Sequence, residues 1–123
     1  MPALGPARRI VAMKVLDPHT EAAVRNFLAR IPADLRVERA ILFGSRARGD
    51  NRPESDADLA LIVPDRDDVW HLTSVFGGLA FDVLMDTAIS IQPVVISLKD
   101  WLHPEGFMRP GFLRNIAREG ITF

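Results

Sequence analysis

Two short stretches made only of apolar residues, Ala40-Ile41-Leu42-Phe43 and Leu59-Ala60-Leu61-Ile62-Val63, restrict the possible folds more than any other feature of the chain. Neither alternates with polar residues, and neither is long enough for an independent helix. That is the pattern of a strand covered on both faces. Such a strand needs helices above and below it, so the expected class is α/β. The first stretch is read from Leu35 and halted by Gly44, the second is halted by Pro64, and both stops are residues that break strands.

The other segments supply the layers. Asp17-Pro18 predicts a helix cap with proline in the first turn, followed by Val24, Phe27, Leu28 and Ile31 at helical spacing and ended by Pro32. Asp65, Asp67 and Asp68 suit the start of a second helix, with Leu72, Val75, Phe76, Leu79 and Val83 as its apolar stripe and Gly77-Gly78 interrupting it. Ile89 to Ile96 reads as a third strand; Pro93 cannot donate to a ladder and sends that strand to an edge or a bulge. Ser97 and Asp100 resemble a capping box before a short helix near Trp101, and Phe112, Leu113 and Ile116 mark a last helix ending at Gly120. The expected order is α-β-β-α-β-α in one domain over residues 1–123, with residues 1–16 as a loose arm or a short edge strand.

A chain of 123 residues holds one hydrophobic core and little more. Fifteen basic residues against sixteen acidic ones leave a charge of −1, so a surface built to hold nucleic acid is not expected. The absence of cysteine excludes disulfides and thiolate metal sites and makes the cytoplasm the default location. Arg8-Arg9 followed by Ile10-Val11-Ala12 is too short and too soon broken by Lys14 for a signal-peptide core, and no membrane span is expected.

Chemistry concentrates between the first two strands. Gly44-Ser45 stands where a buried strand gives way to a short helix, a place where backbone N–H groups bind phosphate and glycine allows close approach. Asp56 and Asp58, two residues apart at the entrance of the next strand, project to the same side about 7 Å apart along the backbone. Paired carboxylates of this kind can hold magnesium, which completes its shell with water and substrate phosphates. Arg46 and Arg48 add cationic donors for phosphate. The segment lacks the Gly-Lys-Ser/Thr of a P-loop, and His19, His71 and His103 are scattered without ligand spacing. Arg48-Gly49-Asp50 spells a cell-adhesion tripeptide, but it is read as part of the nucleotide loop.

Gly44-Ser45-Arg46-Ala47-Arg48-Gly49 through Ser55-Asp56-Ala57-Asp58-Leu59 resembles the signature of the minimal nucleotidyltransferases of the polymerase-beta-like superfamily. The core of the likeness spans residues 43 to 63, and the flanking elements from about 17 to 97 fit that family's small mixed β-sheet with helices packed on it. The tail from 98 to 123 is not diagnostic. The resemblance implies that Gly44 and Ser45 hold a nucleoside triphosphate such as ATP, with Arg46, Arg48 and Ser55 beside it, and that Asp56 and Asp58 ligate magnesium. The family commonly has a third carboxylate on a later strand. Here the nearest position is Gln92, while Asp82 and Asp86 read as polar residues late in a helix.

Small stand-alone chains of this kind are often antitoxins of HEPN-domain toxins, which implies transfer of AMP from ATP to a hydroxyl of a protein partner encoded nearby. Gln92 keeps a second function open, a weak or inactive nucleotide-binding module that neutralises its partner by binding. Self-association is left open.

Overall fold

The computed structural model describes residues 16–123, so the arm read over residues 1–16 lies outside the described part except for Leu16. The elements are α1 (Pro18–Ala29), β1 (Arg39–Phe43), α2 (Ser45–Arg48), β2 (Ala57–Val63), α3 (Val69–Thr87), β3 (Ile91–Ser97), α4 (Leu98–Leu102), a 3₁₀ turn (Pro104–Gly106), α5 (Pro110–Glu119) and β4 (Ile121–Thr122). The sheet order is β3-β2-β1-β4; β2 and β3 run parallel, and β1 is antiparallel to both β2 and β4. This is the mixed sheet with packed helices that the sequence predicts.

Both faces of β2 are buried, as its apolar run requires. Ala57, Leu59, Leu61 and Val63 enter a core shared with Val24 and Phe27 of α1 and Leu72, Phe76 and Val83 of α3. Ala60 and Ile62 face the opposite way, with Ile41, Ile96, and Leu113 and Ile116 of α5. Period-two alternation therefore sorts each strand between two helical layers. Phe27 and Phe76 close the first layer at a ring separation of 6.2 Å.

The helix ends follow local chemistry. Asp17 caps α1 by accepting from the N–H groups of His19 and Thr20, and Pro18 occupies the first turn, as predicted. Ser97 accepts from Asp100 N–H at 3.2 Å and starts α4. Pro93 lies in the edge strand β3 without a bulge, since the register runs unbroken from Ala57↔Ile91 to Val63↔Ser97.

The strands differ from expectation in several places, among them β3, which runs Ile91–Ser97 where Ile89 to Ile96 was expected. β1 begins at Arg39, because residues 32–35 form a turn closed by Leu35 N–H on Pro32 O; Leu35 and Val37 only pack against the core. β2 begins at Ala57, two residues early, because Phe43 and Gln92 both pair with Asp58. A fourth strand was not foreseen: Ile121 pairs with Leu42, Thr122 with Ile41, and Phe123 N–H donates to Ala40 O at 2.9 Å.

Candidate functional site

At one end of β2 the inward series Ile62, Ala60 gives way to Asp58, at the point where β1 delivers Phe43 and Gly44. Gly44 has φ +78°, a conformation that side chains resist, and a Cβ at this position would collide with Asp58 Oδ2. The sequence reading assigned this glycine to phosphate approach. Within the chain itself, the group that excludes a side chain at Gly44 is the Asp58 carboxylate.

From Gly44 the chain makes a single helical turn. Ala47 and Arg48 N–H donate to Gly44 O at 3.1 and 3.0 Å, and Gly49, at φ +85°, ends the turn by donating to Ser45 O at 2.8 Å. The first N–H groups of such a turn have no acceptor within it. Ser45, the first residue of this turn, lines the same opening as Asp58. A cavity of about 400 Å³ opens here, lined by Phe43, Gly44, Ser45, Arg48, Asp58, Phe112, Asn115, Ile116 and Glu119. That volume suits a small-molecule ligand.

Asp58 is half-buried and Asp56 is exposed. Burial raises the carboxyl of Asp58 above the usual carboxylate range, the neighbouring Asp56 charge adds to the rise, and Arg48 opposes it. The pair is thus short of positive charge. Gln92 is the parallel-strand partner of Asp58, and positions 92, 94 and 96 share the face of Asp58, Ala60 and Ile62. It is exposed at the uncovered end of that face. Among the described residues no group of three His, Cys, Asp or Glu side chains converges to hold a metal. Asp86 pairs with Arg30, and α3, which carries both Asp82 and Asp86, packs on the other face of the sheet.

Arg46 does not line this cavity; it lines another, with Asp17, His19, Asn51 and Pro53. It is buried, and its guanidinium donates to Ser55 O at 2.9 Å, Thr20 Oγ1 at 2.7 Å and Pro53 O at 3.0 Å, with Asp17 at 3.6 Å. These bonds tie the loop between α2 and β2 to the start of α1. They turn Arg46 away from the cavity, where it was expected to meet phosphate. Ser55 belongs to the same clamp; its hydroxyl accepts from Arg52 N–H at 2.9 Å and closes the loop's turn, outside the cavity lining. Arg48 does line the cavity, and it pairs with Asp50 and with Glu119, both at 3.2 Å.

The wall formed by α5 was missed. Phe112, Asn115, Ile116 and Glu119 recur at helical spacing on one face of that helix, and Phe112 meets Phe43 edge-on at 5.6 Å. The spacing was visible in the sequence. Its direction was not, because only the pairing of β4 with β1 brings α5 over this end of the sheet. His19, His71 and His103 are all exposed and separate, as read. No described helix is long and apolar enough to cross a membrane.

The sequence profile of the family described as "Polymerase beta, Nucleotidyltransferase" matches residues 26–121. Among solved structures, the chain is similar to a Sulfolobus solfataricus protein provisionally assigned as a nucleotidyltransferase. The identity is 16%, the TM-score is 0.41, and the alignment covers 85% of this chain and 76% of that one. No curated protein sequence matches. With the profile spanning most of its length and running through the loop that joins Gly44 to Asp58, the chain belongs to the polymerase beta nucleotidyltransferase family.

Proposed function

We propose that the cavity binds a nucleoside triphosphate with magnesium and that the protein transfers AMP from ATP to a hydroxyl of a protein partner, as a cytoplasmic antitoxin of a HEPN-type toxin. One observation carries the nucleotide reading: Asp58, crowded by Gly44 and raised by burial and by Asp56, stands at a cavity whose other polar lining includes Ser45 and Arg48. Two carboxylates that repel each other gain from a shared cation. The donor set is all oxygen, which suits magnesium. Asp56 and Asp58 would hold the ion, and a bound ion would neutralise charge on the triphosphate and its leaving pyrophosphate.

The chain's own groups do the rest. The N–H groups opening α2 and the Ser45 hydroxyl orient phosphate oxygens, and Arg48 supplies a charge-assisted donor once phosphate competes with Glu119. Phe112 and Ile116 keep one wall apolar and limit water. The acceptor hydroxyl comes from the partner. The HEPN assignment is supported by the resemblance of the Gly44–Leu59 stretch to minimal nucleotidyltransferases.

A second reading is favoured by Gln92. It stands beside Asp58 where a carboxylate would strengthen the hold on a cation, so transfer is slow or dependent on the partner, or the module only binds. The test is pyrophosphate release from ATP across a magnesium titration with the coexpressed partner, together with the partner's intact mass. An added AMP supports transfer. Magnesium-dependent ATP binding without pyrophosphate or added mass supports the binding module, and absence of ATP binding removes both.

A further inference from the structure

We infer that Asn115 on α5 reads the base of the bound nucleotide, its amide pairing with adenine, so that this helix sets nucleotide choice; the proposal rests on the nucleotide reading of the cavity and assigns the half of the ligand that the α2 turn and a cation leave unaddressed.

The cavity is divided by charge. Its floor holds Gly44, Ser45, Arg48 and Asp58, the groups suited to phosphate and to a cation. The side contributed by α5 carries no cationic group: it consists of Phe112, Asn115, Ile116 and Glu119. The Glu119 carboxylate repels phosphate and is itself held by Arg48 at 3.2 Å. A triphosphate is therefore confined to the floor, and the uncharged part of the ligand falls to the wall. Phe112 and Ile116, with Phe43 edge-on to Phe112 at 5.6 Å, give that part apolar surface to lie against.

Asn115 stands in the middle of this wall. Leu113 and Ile116 are buried against the sheet with Ile41 and Ile62, and they fix which side of α5 turns to the cavity. Asparagine is a poor residue for a helix interior and is favoured at caps, where its side chain bonds the backbone. Here it caps nothing, since α5 runs Pro110–Glu119, and it makes no hydrogen bond to any described residue. Among the α5 side chains that line the cavity, it alone offers a donor and an acceptor together.

That combination selects among bases. Adenine presents an amino donor, N6, beside an acceptor, N7, and an amide closes on the two with a pair of bonds. Guanine sets two acceptors, O6 and N7, on the same edge, and the amide oxygen finds no donor there. Phosphate offers the amide nitrogen an acceptor but gives its oxygen nothing. The side chain therefore distinguishes ATP both from GTP and from the phosphate chain alone.

The test is calorimetry in magnesium with ATP, GTP and inorganic triphosphate as three separate probes. Inorganic triphosphate reports the floor alone. Wild type should bind ATP more tightly than GTP or triphosphate, and Asn115→Ala should weaken ATP at least roughly fivefold, the lower end for a two-bond base contact, with triphosphate unchanged. Asn115→Asp carries a carboxylate that only accepts, so it should lose ATP and turn the preference toward GTP, whose base has neighbouring N1–H and N2–H donors. Both variants should keep the wild-type thermal midpoint, because Asn115 is exposed. An equal loss of ATP and GTP in Asn115→Ala would assign the side chain to the sugar that the two share and overturn the base reading. ATP affinity indifferent to both variants, or no tighter than that of triphosphate, would overturn it and leave the phosphate floor standing. Binding of none of the three probes would remove floor and base subsite together.

Discussion

Glycine serves two different ends in this molecule. At Gly44 the chain itself forbids a side chain, through a positive φ and the Asp58 carboxylate lying against the backbone. At Gly77 and Gly78 none of the described residues forbids one, and a methyl group there would meet none of them within 4 Å. A glycine enforced from within reports on the site it builds. One that no described neighbour enforces reports only on its own helix. The same contrast separates the two arginines of α2: Arg46 is consumed by the loop clamp, and Arg48 stays at the cavity rim in exchangeable ion pairs.

The harshest way to break this comparison is Gly44→Ala. Strain from the backbone together with the collision at Asp58 should cost about 3 kcal/mol in denaturant unfolding, since overpacking and positive φ each cost about 1 to 3. The double variant Gly44→Ala/Asp58→Ala should recover part of the loss. Additive costs would show that Asp58 is not the obstacle.

Arg46→Met comes next. It removes three donors from the carbonyls and hydroxyl that hold the loop and should destabilise by about 2 kcal/mol, with faster amide exchange across residues 50–55. Arg48→Met should change stability by less than about 0.5 kcal/mol, as exposed ion pairs do, yet weaken ATP binding measured by calorimetry. Equal stability losses for the two would erase the distinction between clamp and rim.

Gly77→Ala tests the other region and should be stabilising. Adding a methyl group in mid-helix should raise the unfolding free energy by roughly 0.5 to 1 kcal/mol. A loss in thermal midpoint would mean that the position is not open.

The smallest effects concern pH, and two aspartates should show opposite signs. Asp58 is raised in the folded protein, chiefly by burial, so it favours folding while protonated and that contribution is lost as pH rises through its folded value. Asp58→Asn should therefore raise the thermal midpoint of metal-free protein at neutral pH, with the gain fading in acid, while removing magnesium-dependent ATP binding. Asp17 is lowered, first by the Thr20 hydroxyl, so its contribution is present at neutral pH and lost as pH falls through its folded value. Asp17→Asn should cost stability at neutral pH and little in acid. A pH-independent offset in both variants would remove titration as the cause.

Sequence showed most of the frame because β1, β2 and the helices α1 and α3 are buried along periodic faces, and burial writes itself into residue type. It failed at β4, whose two residues become a strand only through β1, some eighty positions earlier. It also treated Arg46 and Arg48 alike, although two residues on a helix are turned about 200° apart, so that both could not face one cavity. The pair Asp58 and Gln92 was anticipated as neighbours, and the unbroken register across Pro93 places them so.

The turn at Gly120 gives the cavity a dimensional property. A side chain there would strike Ile41, so α5 passes into β4 hard against β1. The strand that ends in Gly44 at the cavity floor is thus also the strand to which the α5 wall is fastened. Floor and wall therefore share one datum, the backbone of β1. The width between Ser45 and α5 is thereby set by the pairing of β4 with β1, and Arg48, held by Asp50 and Glu119 together, stands at its edge.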